Sequence, residues 1–93
     1  MEIKKQAAAG TLESSDCLVT ISPSDSLSLE ITSSVEKQYK NQIEKVMNET
    51  LSTLGVSKAE IHINDKGALD CTIIARLKAA ISRAAETDIA WEV

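Results

Sequence analysis

The chain is short of the residues from which most enzyme sites are built. It has one histidine, His62, and two cysteines, Cys17 and Cys71, in 93 residues. These three have no metal-ligand spacing, so the cluster that a zinc site needs is absent. The three glycines, Gly10, Gly55 and Gly67, stand far apart, which excludes a glycine-rich phosphate loop. A Ser-His-acid triad could be drawn through the single histidine, but nothing supplies an oxyanion hole or a substrate cleft. A chain of this length holds one domain with one small core, which leaves little room for a self-contained active site.

Long apolar runs are missing as well. No stretch approaches the ~20 apolar residues of a membrane helix, and Met1-Glu2-Ile3-Lys4-Lys5-Gln6-Ala7 contains no signal-type apolar run. A cytoplasmic location and no membrane partner are therefore expected. The net charge is -4 and the isoelectric point near 4.9. The ten lysines and arginines are scattered and form no patch, so nucleic acid is not an expected partner. Without a secretion signal the two cysteines are expected to be reduced, small, buried apolar residues.

What is present is clear periodicity. Cys17, Val19 and Ile21 alternate with Thr20 and Ser22, the period of a strand. A short small-sided run over 7–12 precedes it, and the polar Glu13-Ser14-Ser15-Asp16 lies between the two as a hairpin connection. Pro23 with its flanking serines and Asp25 makes a second turn, after which Leu27, Leu29 and Ile31 alternate with polar residues in a third strand. Ser33 and Glu36 have capping-box spacing. The helix that follows carries an apolar stripe of Val35, Tyr39, Ile43, Val46, Met47, Leu51 and Leu54, and Gly55 is placed to end it. Ile61 and Ile63 flank His62 in a fourth strand, with His62 facing outward from an edge or half-exposed position. A second helix is expected over 68–85, burying Ile73, Ile74, Leu77, Ile81 and Ala84. The sum is an α+β fold: a two-layer sandwich in which a largely antiparallel sheet of about four short strands carries two amphipathic helices on one face.

Three blocks also carry a family resemblance. Ala9-Gly10-Thr11-Leu12-Glu13-Ser14-Ser15-Asp16 sets a hydroxyl, flanked by carboxylates, at a hairpin tip. Ser33-Ser34-Val35-Glu36-Lys37-Gln38-Tyr39 and Asp65-Lys66-Gly67-Ala68-Leu69-Asp70-Cys71 follow it. In this order and at this spacing they resemble the acyl carrier subunit, or gamma chain, of bacterial citrate lyase, and the resemblance runs on to Trp91-Glu92.

The resemblance implies that residues 1–93 form one acyl-carrier domain, a non-catalytic subunit of a citrate lyase complex. Its covalently attached cofactor would be phosphoribosyl-dephospho-CoA, joined through a phosphodiester to the serine after Leu-Glu in the motif Gly-Thr-Leu-Glu-Ser-x-Asp. That serine is Ser14 here. Many relatives carry glycine next, where this chain has Ser15, so Ser15 is the second choice and motif register alone separates the two. The implied partners are the alpha chain, which exchanges acetyl for citryl on the arm, and the beta chain, which cleaves the citryl thioester. A prosthetic-group transferase and an acetyl-loading ligase complete the set. Such a serine must be reachable, so residues 13–16 are expected to be exposed, mobile and free of long-range side-chain hydrogen bonds. Asp65, Lys66, Gly67 and Asp70 read equally well as a docking surface or as a turn with a helix cap.

Two alternatives stand beside this reading: the carrier subunit of malonate decarboxylase, and a plain interaction domain without a prosthetic group. A competing site is also visible. Asp25-Ser26-Leu27 matches the attachment string of ordinary acyl carrier proteins, where it begins a helix. Here it leads into period-two alternation, and a three-residue match among eleven serines carries little weight.

Overall fold

The computed structural model describes residues 1–33 and 37–87. Along the chain run β1 (Ala7–Gly10), β2 (Cys17–Ser22), β3 (Leu27–Ser33), α1 (Lys37–Leu54), β4 (Ala59–Asp65) and α2 (Asp70–Ala85). The strands form one sheet in the order β1-β2-β4-β3. Two of its three pairings are antiparallel, β1 with β2 and β2 with β4. The third, β3 with β4, is parallel, because α1 is the crossover that returns the chain to the end of the sheet where β3 began. The expected two-layer α+β fold is therefore present, with the antiparallel character broken at one pairing.

Register shows why the strands form where they do. Ala9, Val19, Ile63 and Ile31 are partners in one row across the sheet, and Ala7, Ile21, Ile61 and Leu29 in the next. Both rows face the helices, with α2 over β1 and β2, and α1 over β3 and beside α2. Val19, Ile21, Ile61 and Ile63 are buried, and Ile43, Met47, Leu51, Ile73, Leu77 and Ile81 close over them. Truncating one of these to alanine should cost about 2 to 5 kcal/mol. Leu29 and Ile31 are only partly buried, since β3 lies at the sheet edge. The alternate positions, among them Glu30, Thr32, Glu60 and His62, lie on the open face. His62 is half-exposed there on an internal strand, with Nε2 3.0 Å from the Thr32 hydroxyl oxygen.

Several expectations need correcting at the helices. Tyr39 is 55% exposed, because the first turn of α1 projects beyond the cover of the sheet; the stripe is buried at Ile43, Val46, Met47 and Leu51, with Leu54 half-buried at its end. Ile74 is half-buried beside the α2 core stripe. Cys17 is fully buried, but Cys71, in the first turn of α2, is exposed; both are free thiols. Gly55 ends α1 in the left-handed conformation (φ +69°), and the Val56 amide donates to the Leu51 carbonyl at 3.0 Å. Val35, the Glu36 half of the capping box, and Trp91-Glu92 lie outside the described residues.

Candidate functional site

The hairpin tip is built from its ends inward. Gly10 has φ +105°, and a Cβ there would stand 1.9 Å from the Cys17 carbonyl oxygen. Only glycine allows the two strands to close at this point. From there the Thr11 amide donates to the Cys17 carbonyl at 3.2 Å, and the Asp16 amide to the Glu13 carbonyl at 3.2 Å, closing a four-residue turn over Glu13, Ser14, Ser15 and Asp16. Ser15 occupies the third position of that turn with φ +66°, the left-handed place that type II turns reserve for glycine or asparagine.

Asp16 anchors the turn. Its Oδ1 accepts from the Cys17 amide (2.7 Å) and from Arg76 Nε (3.0 Å), and its Oδ2 accepts from the Thr11 hydroxyl (2.7 Å) and from Arg76 Nη2 (2.8 Å). The Arg76 guanidinium first, with the Thr11 hydroxyl and the Cys17 amide, holds the Asp16 carboxyl well below the usual carboxylate range. Asp16 in turn pushes the Arg76 guanidinium up. A carboxylate so fully engaged is a brace and a poor proton acceptor. Beneath it, burial pushes the Cys17 thiol up to about 11, with the charges of Asp16 and Asp65 adding to the effect, so it stays neutral and unreactive near pH 7.

This corrects the expectation of a free turn. Glu13, Ser14 and Ser15 are exposed, but the turn is tied by a bidentate ion pair to a helix 60 residues further along the chain. It is also tied to the loop after β4, where the Ser15 amide donates to the Lys66 carbonyl and the Lys66 amide to the Asp16 carbonyl, each at 2.9 Å. Arg76 is the residue that sequence reasoning missed. Its one signal is its place in α2 between the core residues Ile73 and Leu77, where a guanidinium must turn toward a partner that periodicity cannot name.

The second loop divides the two readings of 65–70. Asp65 is buried, and its carboxylate accepts from the amides of Gly67 (3.1 Å) and Ala68 (3.0 Å) and from the Ser33 hydroxyl (3.1 Å). That is a turn-forming role. Lys66, Gly67 and Asp70 are exposed, and Asp70 accepts from Gln42 Nε2 at 3.1 Å. The residue preceding α2 is Leu69, which supplies no side-chain cap.

Among the described residues the Ser14 and Ser15 hydroxyls take no hydrogen-bond partner. Ser14 stands at the corner of a fixed turn. Ser15 is held through its backbone, by its left-handed conformation and its bond to Lys66. Ser26 lies at the other end of the sheet, just before β3 and at no helix start, roughly 20 Å away by strand rise. Among the described residues no group of three or more His, Cys, Asp or Glu is placed to hold a metal ion, and no helix is long and apolar enough to cross a membrane.

Residues 4–84 match the family model described as "ACP: Malonate decarboxylase delta subunit (MdcD)". The chain is 56% identical over 88 residues to the citrate lyase acyl carrier protein of Clostridium perfringens, covering 92% of this chain and 87% of that one. It is 53% identical over 92 residues to the protein of the same name from Haemophilus influenzae, covering 99% and 97%. Among solved structures, a chain of a Pseudomonas malonate decarboxylase hetero-tetramer in complex with malonate superposes with a TM-score of 0.76 at 20% identity, over 87% of this chain and 84% of that one. At that identity the likeness is one of fold.

Proposed function

The chain belongs to the citrate lyase acyl carrier protein family, and on that premise we propose that Ser14 carries a covalent phosphoribosyl-dephospho-CoA arm, on which acetyl and citryl groups travel between the alpha and beta chains of a citrate lyase. The whole chain acts as one carrier domain in the cytoplasm and makes or breaks no substrate bond itself. A prosthetic-group transferase attaches the arm, and a ligase supplies its acetyl group.

The observation that supports this reading best is the state of the Ser14 hydroxyl: exposed and unpartnered among the described residues, on a turn fixed from both sides. The residues present fit the group. An attachment at Ser14 disturbs no core contact, and the Asp16–Arg76 pair and the Lys66 backbone keep the turn in one place, so that an approaching transferase meets a defined surface. The bound group supplies a thiol whose thioesters pass acyl groups readily, because a thiolate leaves better than an alkoxide. The carrier supplies an anchor. A flexible tether turns encounters with two partner sites into intramolecular ones, at effective concentrations on the order of mM.

Ser14 is preferred to Ser15 for a reason that adds to motif register. Ser15 stands where the resemblance puts glycine in many relatives, and its φ of +66° is the backbone conformation that favours glycine there. The family model's description favours one second reading, carriage in a malonate decarboxylase; subunits that co-purify from the native host separate the two.

The test is loading. Ser14→Ala should leave stability within about 0.5 kcal/mol of the parent, as expected for an exposed turn hydroxyl, yet remain unmodified by mass spectrometry after incubation with the transferase and its activated donor. Ser15→Ala and Ser26→Ala should load. Loading of Ser14→Ala would move the site or remove the carrier reading, and citrate cleavage by a complex containing unloaded Ser14→Ala would show the arm to be dispensable.

A further inference from the structure

We propose that the acceptor site is made of two loops, and that the Lys66 ammonium binds the phosphate joining the arm to Ser14. This rests on the reading of Ser14 as the attachment residue. The Lys66 peptide is bonded into the acceptor turn on both sides, through its amide to Asp16 and its carbonyl to Ser15, each at 2.9 Å. Its Cα is therefore fixed beside the turn, within reach of a lysine stem from Ser14. The loop that carries it is itself held, because the buried Asp65 carboxylate binds the amides of Gly67 and Ala68.

Charge around the turn points the same way. Glu13 and Asp16 flank the serines, and Arg76 offsets Asp16 with both of its bonding nitrogens. Arg76 is thereby committed. A phosphodiester on Ser14 adds a further negative charge to this corner. Lys66 is exposed, and among the described residues no carboxylate pairs with it. A lysine serves a phosphate as a mobile point charge and needs no bidentate geometry, which suits a group attached to a solvent-facing hydroxyl.

The experiment uses the full chain, loaded at Ser14 by its transferase, with two readouts. In loading kinetics, Lys66→Ala should raise KM for the anionic donor by ~3- to 5-fold at low salt with kcat nearly unchanged, the range of an exposed ion pair. The difference should shrink toward none near ~1 M salt. Lys66→Arg should recover most of it, and Lys66→Gln, which keeps much of the stem, should behave as the alanine variant does. In the purified loaded carrier, the 31P resonance of the phosphodiester should move on Lys66→Ala and stay in place on Lys58→Ala, at the far end of β4. An unmoved resonance overturns the inference even if KM changes, because the lysine would then touch the transferase and not the phosphate. Unchanged KM and resonance overturn it outright. Loading of Ser14→Ala would instead overturn the underlying assignment of the serine.

Discussion

The two ends of the sheet carry turns of nearly the same composition, Glu13-Ser14-Ser15-Asp16 between β1 and β2, and Ser24-Asp25-Ser26 between β2 and β3. Each offers a serine beside a carboxylate. The second is held by local contacts, a 3.5 Å bond from the Ser26 amide to the Ser24 hydroxyl, and by one backbone bond from Ala59 to the Ser26 carbonyl. The first is gripped by Arg76 from α2 and by the Lys66 peptide from the loop after β4. Composition makes both of them turns; a side-chain ion pair to a helix, added to two backbone bonds from another loop, makes only the first a platform. An attachment site needs an exposed hydroxyl on backbone that does not wander, and a loop meets both demands when its neighbours, and not its own side chain, carry the bracing.

The largest effect should come from breaking the closure beneath the Glu13–Asp16 turn. Gly10→Ala sets a Cβ 1.9 Å from the Cys17 carbonyl oxygen at φ +105°, and should cost about 3 kcal/mol or more by urea denaturation, through strain and forced backbone movement. A loss below about 1 kcal/mol would mean that the hairpin closes in some other way.

Next in size is the anchor. Arg76→Ala should leave the fold cooperative but speed amide exchange at Asp16 and Cys17, with little change at the Ser24–Ser26 turn. The sign of its pH dependence follows from Asp16, whose folded pKa is depressed below the ordinary 3.8. The stabilisation from the pair is present in full above that ordinary value and is lost as pH falls toward the folded one. The difference in urea midpoint between parent and Arg76→Ala should therefore be constant from pH 5 to 7, narrowing only below about pH 4. A gap that does not narrow at all between pH 4 and pH 2 would assign the effect to packing of the arginine stem.

The smallest effects distinguish the two turns most finely. Ser15→Gly relieves a left-handed serine, φ +66°, and should raise stability by about 0.5 kcal/mol after allowing for the greater freedom of glycine in the unfolded chain. Loading should be retained. Ser26→Ala should change stability by no more than about 0.5 kcal/mol, since the Ser26 bonds shown are made by its backbone. A drop on Ser15→Gly would show that the serine side chain, and not only its backbone, supports the tip.

Much of the fold was written in local pattern. Period two placed β2, β3 and β4, helical spacing placed the buried faces of α1 and α2, and Gly55 marked the end of α1, because each of these depends on residues close in sequence. Tyr39 and Cys71 escaped that logic. A periodic stripe says which way a side chain points but not whether another layer reaches it, and Tyr39 sits in a first turn that projects past the packed region; Cys71, expected buried from residue type alone, lies on the outward face of α2 with the exposed Ala75. The parallel pairing of β3 with β4 was equally hidden, since strand order is settled by where a crossover helix lands.

At the Glu13–Asp16 turn the sequence by itself determined the turn residues, the flanking charges and the motif register from which Ser14 is proposed, all of them properties of eight consecutive positions. Only the tertiary structure decided that Asp16 is committed to Arg76, that Asp65 is buried and spent on its own loop, and that Lys66 is bonded to the turn. The first and the last of those join parts of the chain that no local periodicity relates. Their partners are chosen by the packing of α2 on β1 and β2 and by the register of β2 with β4, in which Cys17 faces Asp65 and the next step brings Lys66 to Asp16.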